Sequence, residues 1–455
     1  MKKILGLIVL VAVLLVGFYF YTINSASKKV DAFFTGDGGT LYDRSGLTWK
    51  LVEAKKGFFK SEYTTSVLIY NQFEVSVVHK ASFGLQGFSL SRVGKMISTI
   101  TLPEMEELDS LSSKNLTINS DITTSGFDTV LSSNDGSYDL DKRTKASWKG
   151  VNGNYFFTFG KDEIDAYLDI PYFEIDEKDR TKIVIENQKY TSKSSYKEIA
   201  FWLGDSTAKI DKITVTDLRE AGNGASLSNL DMFSILKKGE NDTIFSENRF
   251  SIKQVTFKDA YDAVDIKADN LVFNMDLENL DTESFKNIYD STAGLDMNDQ
   301  NQLLFTVMSW GSYVPKILGK KPKITFKDIS GEYNGEKHSL NGFIEYVGNG
   351  KIAGFRDNSL MRDILSNIDI TTSEKFVKTL LKNDVEKNLR WKYMYNDQIS
   401  KEELNSEVEF AVQNTIDAFK NLYNIQIENG VIKVKFNLKD GVATVNDREI
   451  TQILY

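Results

Sequence analysis

Hydrophobic positions along this chain fall into one long unbroken run and many short alternating ones. The run is Ile4 to Thr22, ILGLIVLVAVLLVGFYFYT, 19 residues without a charge. At about 1.5 Å per residue a helix of that length reaches about 28 Å, close to the hydrocarbon thickness of a bilayer. Ile4, Leu10 and Leu14 belong to its apolar body, and Phe18, Tyr19, Phe20 and Tyr21 crowd its far end, where amphipathic rings favour the headgroup zone. Lys2 and Lys3 precede it. The pattern predicts a transmembrane anchor over residues 4–22 that starts in the cytoplasm and leaves it. The competing reading is a cleaved secretory signal with Ser25-Ala26-Ser27 as the cleavage site, but such signals usually carry an apolar region of about 7–15 residues. Both readings export residue 28 onward.

Beyond a short tether from Ser25 to Asp31, alternation takes over. Leu47, Trp49 and Leu51 alternate with Thr48 and Lys50, Lys55-Lys56-Gly57 turns the chain, and Tyr63 to Tyr70 resumes as a β-branched run, which together read as a hairpin. Phe73, Val75 and Val77 give a third strand with His79 at its end. Between Ser91 and Ser112, Val93, Met96, Ile97 and Ile100 sit at helical spacing. Strands return from Leu116 to Leu203, with turns at Asp135-Gly136 and Asn152-Gly153, the aromatic run Tyr155 to Phe159, and Pro171 marking a strand start or an edge.

A polar, glycine-rich break at Arg219 to Ala225 is followed by Leu227, Leu230, Phe233 and Leu236 at helical spacing. Leu271, Phe273, Met275 and Leu277 then alternate with polar residues as a half-buried strand, and 283–318 read as helical. Asn334-Gly335, Asn341-Gly342 and Asn349-Gly350 are spaced as successive hairpin turns. Helices follow at Ser373 to Leu389 and Glu402 to Tyr423, the latter with Leu404, Val408, Ala411, Thr415, Phe419 and Leu422 on one stripe. The chain closes on a hairpin, Ile432 to Leu438, Asp440-Gly441 and Val442 to Val445.

Composition narrows the chemistry. The chain has no cysteine, which removes disulfides, thiolate nucleophiles and thiolate metal sites. His79 and His338 are the only histidines, too few for a metal site of several imidazoles. With 64 acidic against 55 basic residues the net charge is −9, which argues against nucleic acid as a partner. Gly204-Asp205-Ser206 lacks the second glycine of a nucleophile elbow, since Ala208 stands there. Gly222-Asn223-Gly224 and Gly348-Asn349-Gly350 lack the rest of a phosphate loop. Asp135, Asp139 and Asp141 could make an oxygen-ligand metal site, but on so acidic a surface a solvated loop is the favoured reading. No catalytic, cofactor-binding or metal-binding residue is assigned.

The anchor, GFFKSEYTTSVLI (Gly57 to Ile69), FEVSVVHK (Phe73 to Lys80), the block Pro315 to Gly348, IDITTSEKFVKTLL (Ile368 to Leu381) and GVIKVKFNLKDGVATVND (Gly430 to Asp447) together resemble the YdgA-like family of bacterial proteins, domain of unknown function 945. His79 stands at the position of that family's His-Gly-Pro strand end but is followed by Lys80-Ala81, and Asn446 by Asp447 where the family has an Asn-Gly turn. The resemblance implies an inner-membrane anchor and a periplasmic β-rich domain, and it brings no reaction with it.

The expected fold is α+β and strand-dominated: an N-terminal transmembrane helix, then curved antiparallel sheets of successive hairpins with helices packed on one face. Expected divisions are an anchor and tether at 1–27, a β-rich half at 28–220 and an α+β half at 225–455. The expected function is that of a single-pass inner-membrane protein, N-terminus cytoplasmic and bulk periplasmic, acting without catalysis as a structural or interaction protein. Its expected partners are the inner membrane through residues 4–22 and an envelope protein or lipid. A carrier or bridge for lipid or another apolar ligand is the alternative, and a carboxylate-based envelope hydrolase the second alternative.

Overall fold

The computed structural model describes residues 21–36, 40–44, 47–69, 73–84, 92–101, 116–139, 142–159, 163–195, 203–219, 222–259, 264–292, 300–350, 359–393 and 400–450. Ile4 to Phe20, with most of the expected anchor, lies outside the described residues. Among the described residues no helix is long and apolar enough to cross a membrane. The chain divides into two compact units, Met1–Arg219 with Glu283–Gly311, and Glu220–Thr282 with Ser312–Tyr455.

In the first unit, helix α1 (residues 21–35) precedes strands β1 (Thr40–Arg44), β2 (Leu47–Lys55), β3 (Lys60–Ile69), β4 (Phe73–Phe83), β5 (Arg92–Thr101), β6 (Leu116–Thr123) and β7 (Gly126–Ser133). Each of these strands pairs antiparallel with the next. After β8 (Gly136–Asp139) and β9 (Thr144–Lys149), which form a hairpin, β10 (Val151–Thr158) returns to β7. Strands β11 (Glu163–Glu177), β12 (Thr181–Ser195) and β13 (Leu203–Asp217) extend the ladder, and β9 also lies against β11. Helices α2 (Thr282–Thr292) and α3 (Gln300–Trp310) fall largely within this unit.

The stretch expected to be a tether is helical instead. Ile23, Ala26, Val30 and Phe34 recur at three and four residues, and all are buried against Tyr63, Ala81, Phe83, Val93, Met96, Ile122 and Phe127. Ser25, Ser27, Lys28 and Lys29 make the stretch look like a linker, yet they share the helix with that apolar stripe. Lys29 donates to the carbonyl of Thr124 at 2.8 Å.

The second unit starts with β14 (Gly224–Lys238), β15 (Thr243–Asp259) and β16 (Val264–Asp281) and resumes at α4 (Val314–Gly319), β17 (Lys323–Tyr333), β18 (Glu336–Tyr346), α5 (Ser359–Arg362) and β19 (Ile364–Ser373). It ends with α6 (Glu374–Tyr393), α7 (Lys401–Tyr423), β20 (Gln426–Glu428), β21 (Val431–Lys439), β22 (Val442–Val445) and β23 (Arg448–Glu449). Strands β14 to β19 pair in sequence, β19 pairs with β21, and the terminal hairpin follows, all antiparallel. Ser400 caps α7, accepting from the backbone of Glu403 while the Glu403 carboxylate accepts from Ser400 N–H. The buried stripe of α7 is Leu404, Val408, Val412 and Ile416, packed on Leu381, Val385 and Leu389 of α6. The expected stripe differs: Phe419 and Leu422 are exposed.

Long strands explain where periodicity misleads. Residues 227–236 are strand β14, not helix, because Ser228 pairs with Gln254 and Leu230 with Ile252, which omits Asn229 in the left-handed region (φ 48). Asn229 and the Lys253 opposite it leave the ladder together without a shift of register, and the apolar series steps by three from Leu227 to Leu230, which imitates helical spacing. The neighbouring strands omit Lys253 and Asn270 (φ 53) on the same line. The first unit repeats the device at Pro171, Asn187 (φ 53) and Asp211. Pro171 is therefore neither a strand start nor at an edge; it occupies a position in mid-strand where no ladder bond is required of it. Residues 92–101 are likewise strand β5, with an irregularity between Arg92 and Gly94 that lets Val93 and Met96 both be buried.

Two expected turns lie inside strands. Asn152-Gly153 belongs to β10, and the chain turns just before it at Gly150. Asn341-Gly342 belongs to β18, where a Cβ on Gly342 would stand 2.1 Å from the carbonyl oxygen of Asn367. That glycine serves close strand approach. Asn334-Gly335 and Asp440-Gly441 are hairpin turns with both residues at positive φ.

Candidate functional site

In the second unit, pairing register sorts the side chains of β14 to β17 onto two faces of different chemistry. One face carries rows of apolar residues: Leu230, Ile252 and Leu271, then Met232, Phe250, Phe273 and Ile329. The second row continues through Leu340, Ile370 and Val434. Leu230 and Ile252 are buried, while Met232, Phe257 and Phe273 around them keep 45, 42 and 37 % of their surface exposed. Neither row carries a charge. The opposite face takes the charges: Lys327 meets Asp276 at 2.7 Å, Lys267 meets Asp269 at 2.8 Å, and Arg249 pairs with Glu247 over the ring of Phe233.

The first unit has its own version. Across β11, β12 and β13, Phe173, Ile185 and Ile213 form one row, and Ile175, Ile183 and Val215 the next. Beyond the skipped pair Pro171 and Asn187, Leu168 meets Tyr190 and Ile170 meets Gln188. Tyr190 is 42 % exposed. Tyr155, opposite Ala166, shares this face, and burial pushes its phenol up to about 12. The other face pairs Glu174 with Lys182 at 3.0 Å.

The helices of the second unit cover only part of its apolar face. Phe376 of α6 packs on His338 and Tyr333, with ring centroids 4.2 and 5.4 Å away, so α6 shields the face over β17 and β18. The buried stripe of α7 goes to α6 and Ile427 rather than to β14 and β15.

Of the residues singled out from sequence, Ile4, Leu10, Leu14, Phe18, Tyr19 and Phe20 lie outside the described residues. Tyr21 lies in α1 and is exposed. His79 is not at a strand end: β4 runs on to Phe83, because Lys80 pairs with Ile97 and Ala81 with Met96. It is buried beneath α1. Its Nε2 lies 3.0 Å from Thr65 Oγ1 and its Nδ1 2.8 Å from Ser98 Oγ, and its ring packs near Phe34 and Trp49. Burial lowers its pKa to about 4, so it is neutral at ordinary pH and holds strands together through both nitrogens. Beside it Tyr63 stacks on Phe34 and donates to Asp31 at 2.5 Å, and Asp31 also meets Lys56 at 3.3 Å.

Three carboxylates are held below their ordinary range, Glu174 by the hydroxyl of Tyr172, Asp269 by the amide of Gln254, and Glu403 by the backbone N–H of Ser400. A general acid would need the opposite shift. Asp135 accepts from Gly150 N–H, and among the described residues no group of three or more acids and histidines is placed to hold a metal ion.

A family model described as "Bacterial protein of unknown function (DUF945)" matches residues 1–452. The chain belongs to the DUF945 family. This is the family to which the YdgA-like resemblance pointed, and the DUF945 match takes in both units. No curated protein and no solved structure matches the chain.

The open faces were only partly visible in the alternation. Leu271 to Leu277 and Tyr155 to Phe159 stand out, whereas β14 and β15 hide because their apolar series changes parity at Asn229 and Lys253.

Proposed function

We propose that this DUF945 chain is a membrane-anchored, non-enzymatic envelope protein that holds the apolar part of a lipid-like ligand on its open sheet faces. In this reading residues 4–22 span the inner membrane once, the N-terminus is cytoplasmic, and the units lie in the periplasm. The observation that carries the reading is the uncharged row Met232, Phe250, Phe273 and Ile329, partly exposed on a sheet whose other face holds the ion pairs.

Charge complementarity selects the occupant. Polar groups of a ligand set against these rows would be left without a partner, since the rows carry no charge and no side-chain hydrogen-bonding group. Hydrocarbon needs none. Covering on the order of 200 Å² of apolar surface yields about 5 kcal/mol before the cost of immobilising the ligand. The register shifts of β16 against β17, between Asp269 and Val272 and between Asn274 and Met275, support a curved face, since bulges bend strands and raise their twist.

The test is extraction of the full-length chain, purified in mild detergent, followed by mass spectrometry of co-purifying molecules. A stoichiometric acyl-chain lipid is expected. Recovery of a stoichiometric protein with no lipid would replace this reading by that of a protein-binding scaffold.

A further inference from the structure

Within the second unit a cavity of about 910 Å³ opens between α6, α7 and the ends of β18 and β19. Lys375, Lys378 and Lys382 line it from one stripe of α6, and Lys337 lines it from β18. Glu336, Glu374 and Glu409 also line it, so four cations face three anions, a local excess of one positive charge in a chain of net charge −9.

Each helix lysine is held by an exchangeable partner. Lys378 meets Glu374 at 2.9 Å, Lys375 meets Glu336 at 3.4 Å, and Lys382 meets Glu409 at 3.4 Å. Solvent-exposed pairs of this kind are worth about 0–1 kcal/mol. An anion bearing several acceptor oxygens competes with them readily, because it can engage more than one ammonium at once.

Register connects the cavity to the apolar face. His338 pairs across β17 with Gly331, which a Cβ would drive into Leu271, and Nδ1 of His338 lies 2.8 Å from Oγ1 of Thr372, a residue of the cavity wall. The row that begins at Leu230, Ile252 and Leu271 thus runs through Gly331 and His338, beneath Phe376 of α6, to the wall of the lysine-lined cavity at Thr372.

We infer that this cavity takes the phosphate-bearing headgroup of an amphiphile whose hydrocarbon lies on the adjoining apolar rows. The inference rests on the apolar-ligand reading and names the class of ligand: an anionic phospholipid. Lys375, Lys378 and Lys382 supply the charge, and Thr371, Thr372 and Thr379 add hydroxyls at the wall.

The test measures binding of dioleoylphosphatidylglycerol, dioleoylphosphatidylcholine and inorganic phosphate to the full-length chain in neutral detergent micelles. The chain is compared with Lys375→Glu/Lys378→Glu and with Lys375→Arg/Lys378→Arg. The expected result is preference for phosphatidylglycerol, a loss of about tenfold or more in the glutamate variant, retention in the arginine variant, and unchanged phosphatidylcholine binding in all three. Equal phosphatidylglycerol binding by all three proteins overturns the headgroup site while leaving the apolar-face reading intact. Binding of neither lipid by the parent chain removes both. Displacement of phosphatidylglycerol by an equal concentration of inorganic phosphate overturns the lipid source in favour of a free anion.

Discussion

Pro171 stands opposite Asn187, and neither joins the ladder between their strands: Ile170 pairs with Gln188, Tyr172 with Glu186, and the position between them is skipped. Asn187 takes φ 53 and its side-chain amide donates to Asp211 at 2.9 Å, on the next strand's own skipped position. The line lets one apolar face continue across strands of 15 residues. Asparagine tolerates the left-handed region, alanine pays about 1–2 kcal/mol there, and glycine pays little. Urea denaturation should therefore find Asn187→Ala destabilised by about 1 kcal/mol or more and Asn187→Gly nearly neutral. Equal midpoints for the alanine variant and the parent would mean the left-handed residue is not needed.

His79 makes the first unit acid-sensitive. Histidine in an unfolded chain titrates near 6.5, whereas burial brings it to about 4 in the fold. Between those values the unfolded chain binds a proton that the folded chain refuses. The site's contribution is therefore complete above pH 6.5 and shrinks as pH falls toward 4, by up to about 3 kcal/mol. The decline of denaturation midpoint over that window should flatten in His79→Gln. A parent and variant with parallel pH profiles would place the acid sensitivity elsewhere.

Tyr63 and Asp31 fasten α1 to the sheet. Replacing Tyr63 by Phe keeps the stack on Phe34 but removes the hydroxyl that donates to Asp31. A loss of about 1–2 kcal/mol is expected, seen as faster proteolysis within residues 21–35 than in the rest of the unit. Uniform cleavage rates would show that the helix is held by its apolar stripe alone.

Much of this fold is legible because hairpin chemistry is local. Asn334-Gly335 and Asp440-Gly441 declare their turns, and Leu271 to Leu277 declares its strand. Errors cluster where a residue leaves the strand ladder. There the apolar series steps by three and so reproduces the spacing of a helix, as at Leu227-Leu230, where Asn229 is skipped, and at Val93-Met96, beside a register shift. Asn-Gly pairs mislead for a related reason: Gly342 is needed for close approach of β19 rather than for reversal. The buried place of His79 depends on α1 returning to cover β3 to β5, a long-range contact that no local pattern encodes.

Gly342 gives a sharp local check. Its φ of 141 and the 2.1 Å approach of a Cβ to the Asn367 carbonyl make Gly342→Ala costly, by about 2–3 kcal/mol or more. Asn341→Ala on the same strand should cost under about 1 kcal/mol. Thermal denaturation of the two variants separates a close-approach glycine from a turn glycine; similar losses in both would contradict the packing described.

The central claim is that acyl chains occupy the uncharged rows of the sheet. Phe273 and Asn274 are neighbours on β16 whose side chains point to opposite faces, with Phe273 paired to Phe250 and Asn274 to Arg249. A photoreactive amino acid placed at each position in turn, irradiated in intact cells, reads the two faces separately. The account predicts lipid adducts from position 273 and few from 274. Equal labelling at both positions, or protein adducts alone at 273, would contradict it.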